Sequence, residues 1–140
     1  MKEYLSHGPE ETEAVGREIA SRITAPVVVA LYAPLGGGKT TLTRGLARGW
    51  GYDGLVTSPS YTLATVYEAE VPIYHIDAYR LASEEDLIYL GLEDILYGDG
   101  IAVIEWAEKV KALLPERHVS ITIEVVDASR RKITVQEEGR

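Results

Sequence analysis

Apolar positions along the chain repeat with helical spacing in some stretches and form short uninterrupted runs in others. In residues 9–23 and 40–50 they recur every four residues, which predicts two helices that each bury one face. The apolar runs at 27–33 and 101–105 have the length of strands and are typical of strands in the middle of a sheet. This alternation predicts an α/β domain in which helices flank a central sheet.

Further strand candidates fall into two closely spaced pairs: 62–68 with 73–77, and 119–125 with 133–135. Such short separations predict antiparallel hairpins. Two more helices are predicted, one from the capping-box pattern that begins at Ser83 and one over 107–114. The expected architecture is a single domain over 1–140, with a mixed sheet that is parallel near its centre and antiparallel toward its edges.

A glycine-rich turn joins the apolar run 27–33 to the helix 40–50. It reads Ala33-Pro34-Leu35-Gly36-Gly37-Gly38-Lys39-Thr40, followed by Thr41. A strand, a glycine turn and Gly-Lys-Thr at a helix start are the context of a phosphate-binding P-loop. Glycines let backbone N–H groups face a triphosphate, and the helix N-terminus adds partial positive charge. The motif predicts nucleotide contacts from Leu35 to Thr41, with Lys39 at the β/γ-phosphates and the Thr40 hydroxyl on Mg²⁺.

One position departs from the P-loop pattern. Ala33 stands where G-x-x-x-x-G-K-[ST] has its first glycine. Alanine holds a tight turn wherever φ is negative, so the motif is retained.

Carboxylates end two of the predicted strands. An NTPase needs an acidic residue to hold Mg²⁺ and a group that positions water. Glu105 ends the run 101–105 at the carboxyl edge of the sheet, where α/β proteins bind ligands, so it is the candidate metal ligand. Asp77 ends the strand 73–77 and is the candidate for hydrolysis. The alternatives are an exposed strand-end Glu105 and a turn-forming Asp77.

Neighbouring positions allow two interpretations each. His75 lies on the same strand face as Asp77. It is either a gate near the phosphates or a structural histidine. Trp106 either lines the site or packs in the core. The hydroxyl-rich stretch from Thr57 is either a nucleotide-sensing switch or a simple Ser/Pro turn. Arg130 and Arg131, in a late turn, are more typical of a solvated charge pair than of a site.

Composition narrows the class of protein. The chain has 14 Lys and Arg against 22 Asp and Glu, a net charge of −8, which argues against a stand-alone nucleic-acid binder. The absence of cysteine excludes disulfides and zinc–thiolate sites. No apolar run reaches the length of a membrane span, and Met1–Tyr4 lack an apolar signal region, so we expect a cytoplasmic protein.

Four segments resemble the TsaE (YjeE) family of ATPases: Ala33-Pro-Leu-Gly-Gly-Gly-Lys-Thr-Thr, Thr57-Ser-Pro-Ser-Tyr-Thr-Leu, Tyr74-His-Ile-Asp-Ala-Tyr-Arg-Leu and Ile104-Glu-Trp. They occur in order, and the resemblance runs from about residue 10 to about residue 135. It implies a magnesium-dependent ATPase that supports threonylcarbamoyladenosine modification of tRNA through the TsaD and TsaB proteins. Because the net charge is −8, we expect no tight tRNA binding by the chain alone. The resemblance also implies that the stretch from Thr57 is a nucleotide-sensing switch.

The resemblance carries residue roles with it. Thr40 and Glu105 are implied to bind Mg²⁺, and Asp77 to act in hydrolysis. Thr12 and Arg130 are implied to lie near the adenosine. Pro34, where the family usually has a polar residue, departs from the pattern.

Two other classes of P-loop protein use the same kind of loop. A small kinase that phosphorylates a metabolite usually needs an arginine lid, and only Arg80 lies near the proposed site in sequence. A GTP switch reads guanine with Asn-Lys-x-Asp, and the chain contains no asparagine. Adenine is therefore expected. Since no arginine finger is evident, hydrolysis is expected to be slow until a partner completes the site.

Overall fold

The strands form one sheet of mixed direction in a computed structural model that describes residues 1–34, 36–57, 64–78 and 91–139. The strands are β1 Lys2–Ser6, β2 Val27–Tyr32, β3 Ala64–Tyr67, β4 Ile73–Asp77, β5 Ile101–Glu105, β6 His118–Val125 and β7 Arg131–Glu138. The helices are α1 Pro9–Arg22, α2 Lys39–Gly49 and α3 Leu92–Leu96, with a 3₁₀ helix over Ala107–Leu113. Within these ranges the strand order is β1-β7-β6-β2-β5-β4-β3.

Strand directions divide the sheet into a parallel centre and antiparallel edges. β2 pairs in parallel with both β5 and β6, and β4 pairs in parallel with β5. The outer pairs β3–β4, β6–β7 and β1–β7 are antiparallel. The predicted mixed α/β architecture is confirmed. Because β4, β5 and β2 run in parallel, their carboxyl ends meet at one edge of the sheet.

Helices cover both faces of this sheet. Along β2, Val29 and Leu31 pack on the side of α1 and α2, whereas Val28 and Ala30 pack on the side of α3 and the 3₁₀ helix. Strand side chains alternate between faces, so an uninterrupted apolar run is the composition that two covered faces require. None of the described helices is long and apolar enough to cross a membrane.

Helices α1 and α2 cross at a contact made by glycine. A Cβ on Gly16 would lie 2.6 Å from the Leu42 carbonyl oxygen and 2.8 Å from the Leu46 backbone nitrogen. Only glycine permits so close an approach of two backbones. The crossing fixes α1 directly against the helix that follows the glycine turn.

The structure also differs from the sequence-based expectations in several bounds. β1 was not predicted, and β7 runs from Arg131 to Glu138 instead of 133–135 because it pairs with both β1 and β6. The element after β5 is a 3₁₀ helix that ends at Leu113. The helix predicted from Ser83, the first residues of the strand 62–68, and most of the stretch from Thr57 lie outside the described residues.

Candidate active site

The glycine turn follows β2 and leads directly into α2. Gly36 and Gly38 have φ values of 73° and 98°, in the left-handed region that favours glycine. Gly37 needs glycine for space, since a Cβ there would lie 2.9 Å from the Pro34 carbonyl oxygen. Each glycine of the triplet therefore serves the shape of the loop. Leu35 lies outside the described residues.

Helix α2 begins at Lys39, at the end of this loop. Gly38 is its N-cap and supplies no side-chain hydrogen bond, and the first turn contains no acidic residue. The helix end thus presents partial positive charge that no carboxylate of its first turn offsets. Thr40 and Thr41 are half-buried in this turn.

The Lys39 ammonium has a carboxylate and an aromatic ring as close neighbours. Its Nζ is 3.8 Å from Glu105 Oε1 and 4.5 Å from the centroid of the Trp106 ring. The Lys39 side chain is only 12% exposed and that of Glu105 only 3%. A buried carboxylate requires a positive partner, and Lys39 provides it.

Glu105 and Asp77 end neighbouring strands in register. The β4–β5 ladder pairs Asp77 with Glu105, and the β2–β5 ladder pairs Leu31 with Glu105. The Ala78 backbone N–H donates to the Glu105 carbonyl, 3.0 Å away, just past the end of β4. Both carboxylates therefore stand at the carboxyl edge from which the glycine loop leaves β2. The alternative of an exposed Glu105 is wrong.

Trp106 follows Glu105 with a strained backbone. Its φ of 58° places a bulky side chain in the left-handed region, which costs about 1–2 kcal/mol. The ring is half-buried, packs against the core beside the 3₁₀ helix and faces Lys39. Trp106 thus combines the two roles that the sequence left open, lining the site and packing.

A chain of hydrogen bonds reaches Glu105 from the edge of the sheet. His75 Nε2 is bonded to Glu105 Oε2, and His75 Nδ1 lies 2.9 Å from the Tyr67 hydroxyl. The Tyr67 hydroxyl donates to the Thr57 carbonyl at 3.1 Å. Sequence reasoning missed Tyr67. Only the register of the β3–β4 hairpin, which sets Tyr67 opposite Ile73, places Tyr67 diagonally across from His75.

Thr12 lies beside the glycine loop. Its methyl carbon would be 3.9 Å from a Cβ on Gly38, and its hydroxyl is 2.6 Å from that of Ser6. Both residues are buried. The first turn of α1 therefore reaches the loop, and the contact of Thr12 with adenosine stays a prediction.

The β6–β7 turn approaches the same loop through Arg131. Arg131 Nη2 lies 3.5 Å from the Gly36 carbonyl oxygen. Arg130 instead bonds Asp127, with 2.6 Å between Nε and Oδ2. The Arg130 side chain, helped by the backbone N–H groups of Ser129 and Arg130, lowers the pKa of Asp127 to about 2. The turn is near the site, with Arg130 held by Asp127.

These features define the class of protein: a P-loop NTPase domain, with a glycine loop between a parallel strand and a helix and a carboxylate at the end of the adjacent strand. The model of the family "Threonylcarbamoyl adenosine biosynthesis protein TsaE" matches residues 6–133. The chain belongs to the TsaE family, whose role is in tRNA threonylcarbamoyladenosine biosynthesis, and the resemblance seen in the sequence is confirmed.

The similarity of the chain to individual proteins supports this family assignment. The chain is 40% identical over 131 residues to the tRNA threonylcarbamoyladenosine biosynthesis protein TsaE of Treponema pallidum, covering 94% of this chain and 97% of that protein. It is 36% identical over 127 residues to the TsaE protein of Bacillus subtilis, covering 90% and 79%. The crystal structure of YdiB from Bacillus subtilis superposes with a TM-score of 0.83 at 31% identity, covering 99% of this chain and 86% of that one.

Proposed function

We propose that the protein binds and hydrolyses ATP with Mg²⁺, and that it thereby supports threonylcarbamoylation of the adenosine next to the anticodon of tRNA. The observation that carries this proposal is the Lys39–Glu105 pair beside a glycine loop, with 3.8 Å between Nζ and Oε1. A triphosphate in the loop replaces Glu105 as the partner of Lys39. Glu105 is then available for a cation.

The donor groups suit Mg²⁺ bound together with a nucleotide. The described residues contain no cluster of three or more His, Cys, Asp or Glu side chains that could hold a metal by themselves. Mg²⁺ usually takes only one or two protein carboxylates and completes its shell with phosphates and water. The Thr40 hydroxyl and the Glu105 carboxylate are the hard oxygen ligands offered here. When bound, the metal neutralises charge that develops on the phosphates.

Phosphoryl transfer to water depends on positioning and charge, and each residue has a part in that task. Lys39 and the N–H groups of the loop bind the phosphates. Asp77, beside Glu105 in the ladder, orients the attacking water. We assign Thr12 and Arg130, which belong to the two segments that approach the glycine loop, to the adenosine.

Protein partners complete the function. The net charge of −8 leaves few cations for tRNA phosphates, so coupling to tRNA runs through the TsaD and TsaB proteins of the modifying complex. The stretch from Thr57 transmits the nucleotide state to them. Hydrolysis by the isolated chain is slow.

Measuring the release of phosphate from ATP tests this proposal. The protein is assayed with MgATP alone, and then with TsaD and TsaB, while pull-downs compare their association in ATP and in ADP. We expect slow turnover alone, faster turnover with the pair, and stronger association in ATP. Turnover that stays at background with the pair, or tight tRNA binding by the isolated chain in a filter assay, contradicts the proposal.

A further inference from the structure

We propose that His75, oriented by Tyr67, is a positioning residue for Glu105. It holds one carboxylate oxygen so that the other faces Lys39 and the glycine loop. This inference rests on the proposed function, because it assigns His75 a part in the magnesium–nucleotide site.

The three side chains are buried and bonded in sequence. His75 is fully buried, and Tyr67 and Glu105 are each 3% exposed. His75 uses both ring nitrogens, Nε2 on Glu105 Oε2 and Nδ1 on the Tyr67 hydroxyl. Glu105 Oε1 is the oxygen that lies toward Lys39. The two oxygens of one carboxylate thus face different partners.

The directions of the hydrogen bonds follow from the donors available. The Tyr67 hydroxyl carries one hydrogen and donates it to the Thr57 carbonyl, which can only accept. His75 Nδ1 must therefore donate to the Tyr67 oxygen. Tyr67 thus fixes Nδ1 as a protonated nitrogen and sets the plane of the ring, which directs Nε2 at Glu105. The bond between Nε2 and Glu105 Oε2 needs a further proton, because an unprotonated ring nitrogen and an ionised carboxylate can both only accept, so the His75–Glu105 pair holds one proton between these two atoms.

Mutation of a purely structural histidine has different effects from mutation of a histidine that positions a metal ligand. A buried polar ring needs hydrogen-bond partners wherever it lies, so removing them lowers stability in any case. A residue that orients a metal ligand also changes metal affinity, typically by about 10–100-fold. The two roles therefore separate in the magnesium dependence of nucleotide binding.

The stacked rings of Tyr67 and Tyr52 allow a matched pair of variants. Tyr67→Phe removes the hydroxyl that bonds His75 and Thr57. Tyr52→Phe is the control, since the Tyr52 ring stacks on Tyr67 at 4.9 Å while its hydroxyl donates to the Leu55 carbonyl at 3.1 Å. Both variants lose one tyrosine hydroxyl from the same stack. Only Tyr67→Phe loses a bond to His75.

Binding of a fluorescent ATP analogue is titrated with Mg²⁺ and, separately, in excess chelator. Tyr67→Phe should raise the half-saturating Mg²⁺ concentration by about tenfold or more, with affinity in chelator unchanged. Tyr52→Phe should match the parent. His75→Gln, which keeps a donor toward Glu105, should retain more of the magnesium dependence than His75→Leu.

A second measurement uses the free protein. Nitrogen-15 NMR of the imidazoles, with His75 assigned by its loss in His75→Gln, should show a protonated Nδ1 that shifts in Tyr67→Phe and not in Tyr52→Phe. An unprotonated Nδ1, or a magnesium dependence that Tyr67→Phe leaves unchanged, overturns the positioning role alone. A parent protein that binds ATP equally with and without Mg²⁺ contradicts the proposed function itself, and the role of His75 falls with it.

Discussion

Replacing Gly16 with alanine should force α1 away from α2. The added Cβ would lie 2.6 Å from the Leu42 carbonyl oxygen, about 0.8 Å inside the 3.4 Å at which ordinary contact begins. The Leu46 nitrogen and the Gly45 carbonyl carbon lie at 2.8 and 2.9 Å. All three neighbours are backbone atoms, so no side-chain rotation relieves the contact.

The change in the free energy of unfolding caused by Gly16→Ala is the sum of two opposing effects. Overpacking of this kind costs about 1–3 kcal/mol, and backbone neighbours favour the upper end. In the opposite direction, replacing glycine with alanine inside a helix stabilises the helix by about 1 kcal/mol. We expect a net loss of about 2 kcal/mol, which for a chain of this size lowers Tm by roughly 6–10 °C. ATP affinity should fall as well, since α1 carries Thr12 to the glycine loop.

Thermal unfolding followed by circular dichroism measures this effect. Arg17→Ala is the control, because it adds an alanine at the next position of α1, where the side chain is 59% exposed. A Gly16→Ala protein that melts at or above the temperature of the Arg17→Ala protein refutes the reasoning. The close glycine crossing would then not be a constraint on the fold.

Two further predictions concern single carboxylates. Asp77→Ala should keep ATP binding but slow hydrolysis in the presence of TsaD and TsaB by about 10²-fold or more, and turnover at the parent rate would return Asp77 to a turn-forming role. For Asp127, the lowered pKa means that its stabilising contribution is present above the ordinary value of 3.8 and is lost as the pH falls through about 2. Arg130→Ala should raise this pKa toward 3.8 in a carbon-13 NMR titration, and a value that stays near 2 would exclude Arg130 as the main cause.

The central strands and the glycine loop could be predicted because local sequence determines them. β2 and β5 are apolar on both faces, and Gly36 and Gly38 occupy backbone conformations that other residues rarely adopt. The approach of Glu105 to Lys39 followed from a general property of parallel sheets, whose carboxyl ends meet at one edge.

Features that depend on long-range pairing could not be predicted in the same way. β1 has little pattern of its own and forms by pairing with β7, whose partner residues lie more than a hundred positions away. Tyr67 acquires its place beside His75 only through the register of the β3–β4 hairpin. In the sequence, Arg130 and Arg131 are adjacent arginines with nothing to distinguish their roles. Only the geometry of the β6–β7 turn shows that Arg131 contacts Gly36 whereas Arg130 bonds Asp127.

Equilibrium binding of MgATP to the Lys39→Ala protein tests the central claim most directly. Removing the buried ammonium takes away a charge-assisted contact worth about 1.5–3 kcal/mol, so affinity should fall by roughly 10–150-fold. Lys111→Ala, which removes an exposed lysine of the 3₁₀ helix, should bind like the parent. Near-normal affinity in Lys39→Ala would contradict the assignment of the glycine loop as the ATP site.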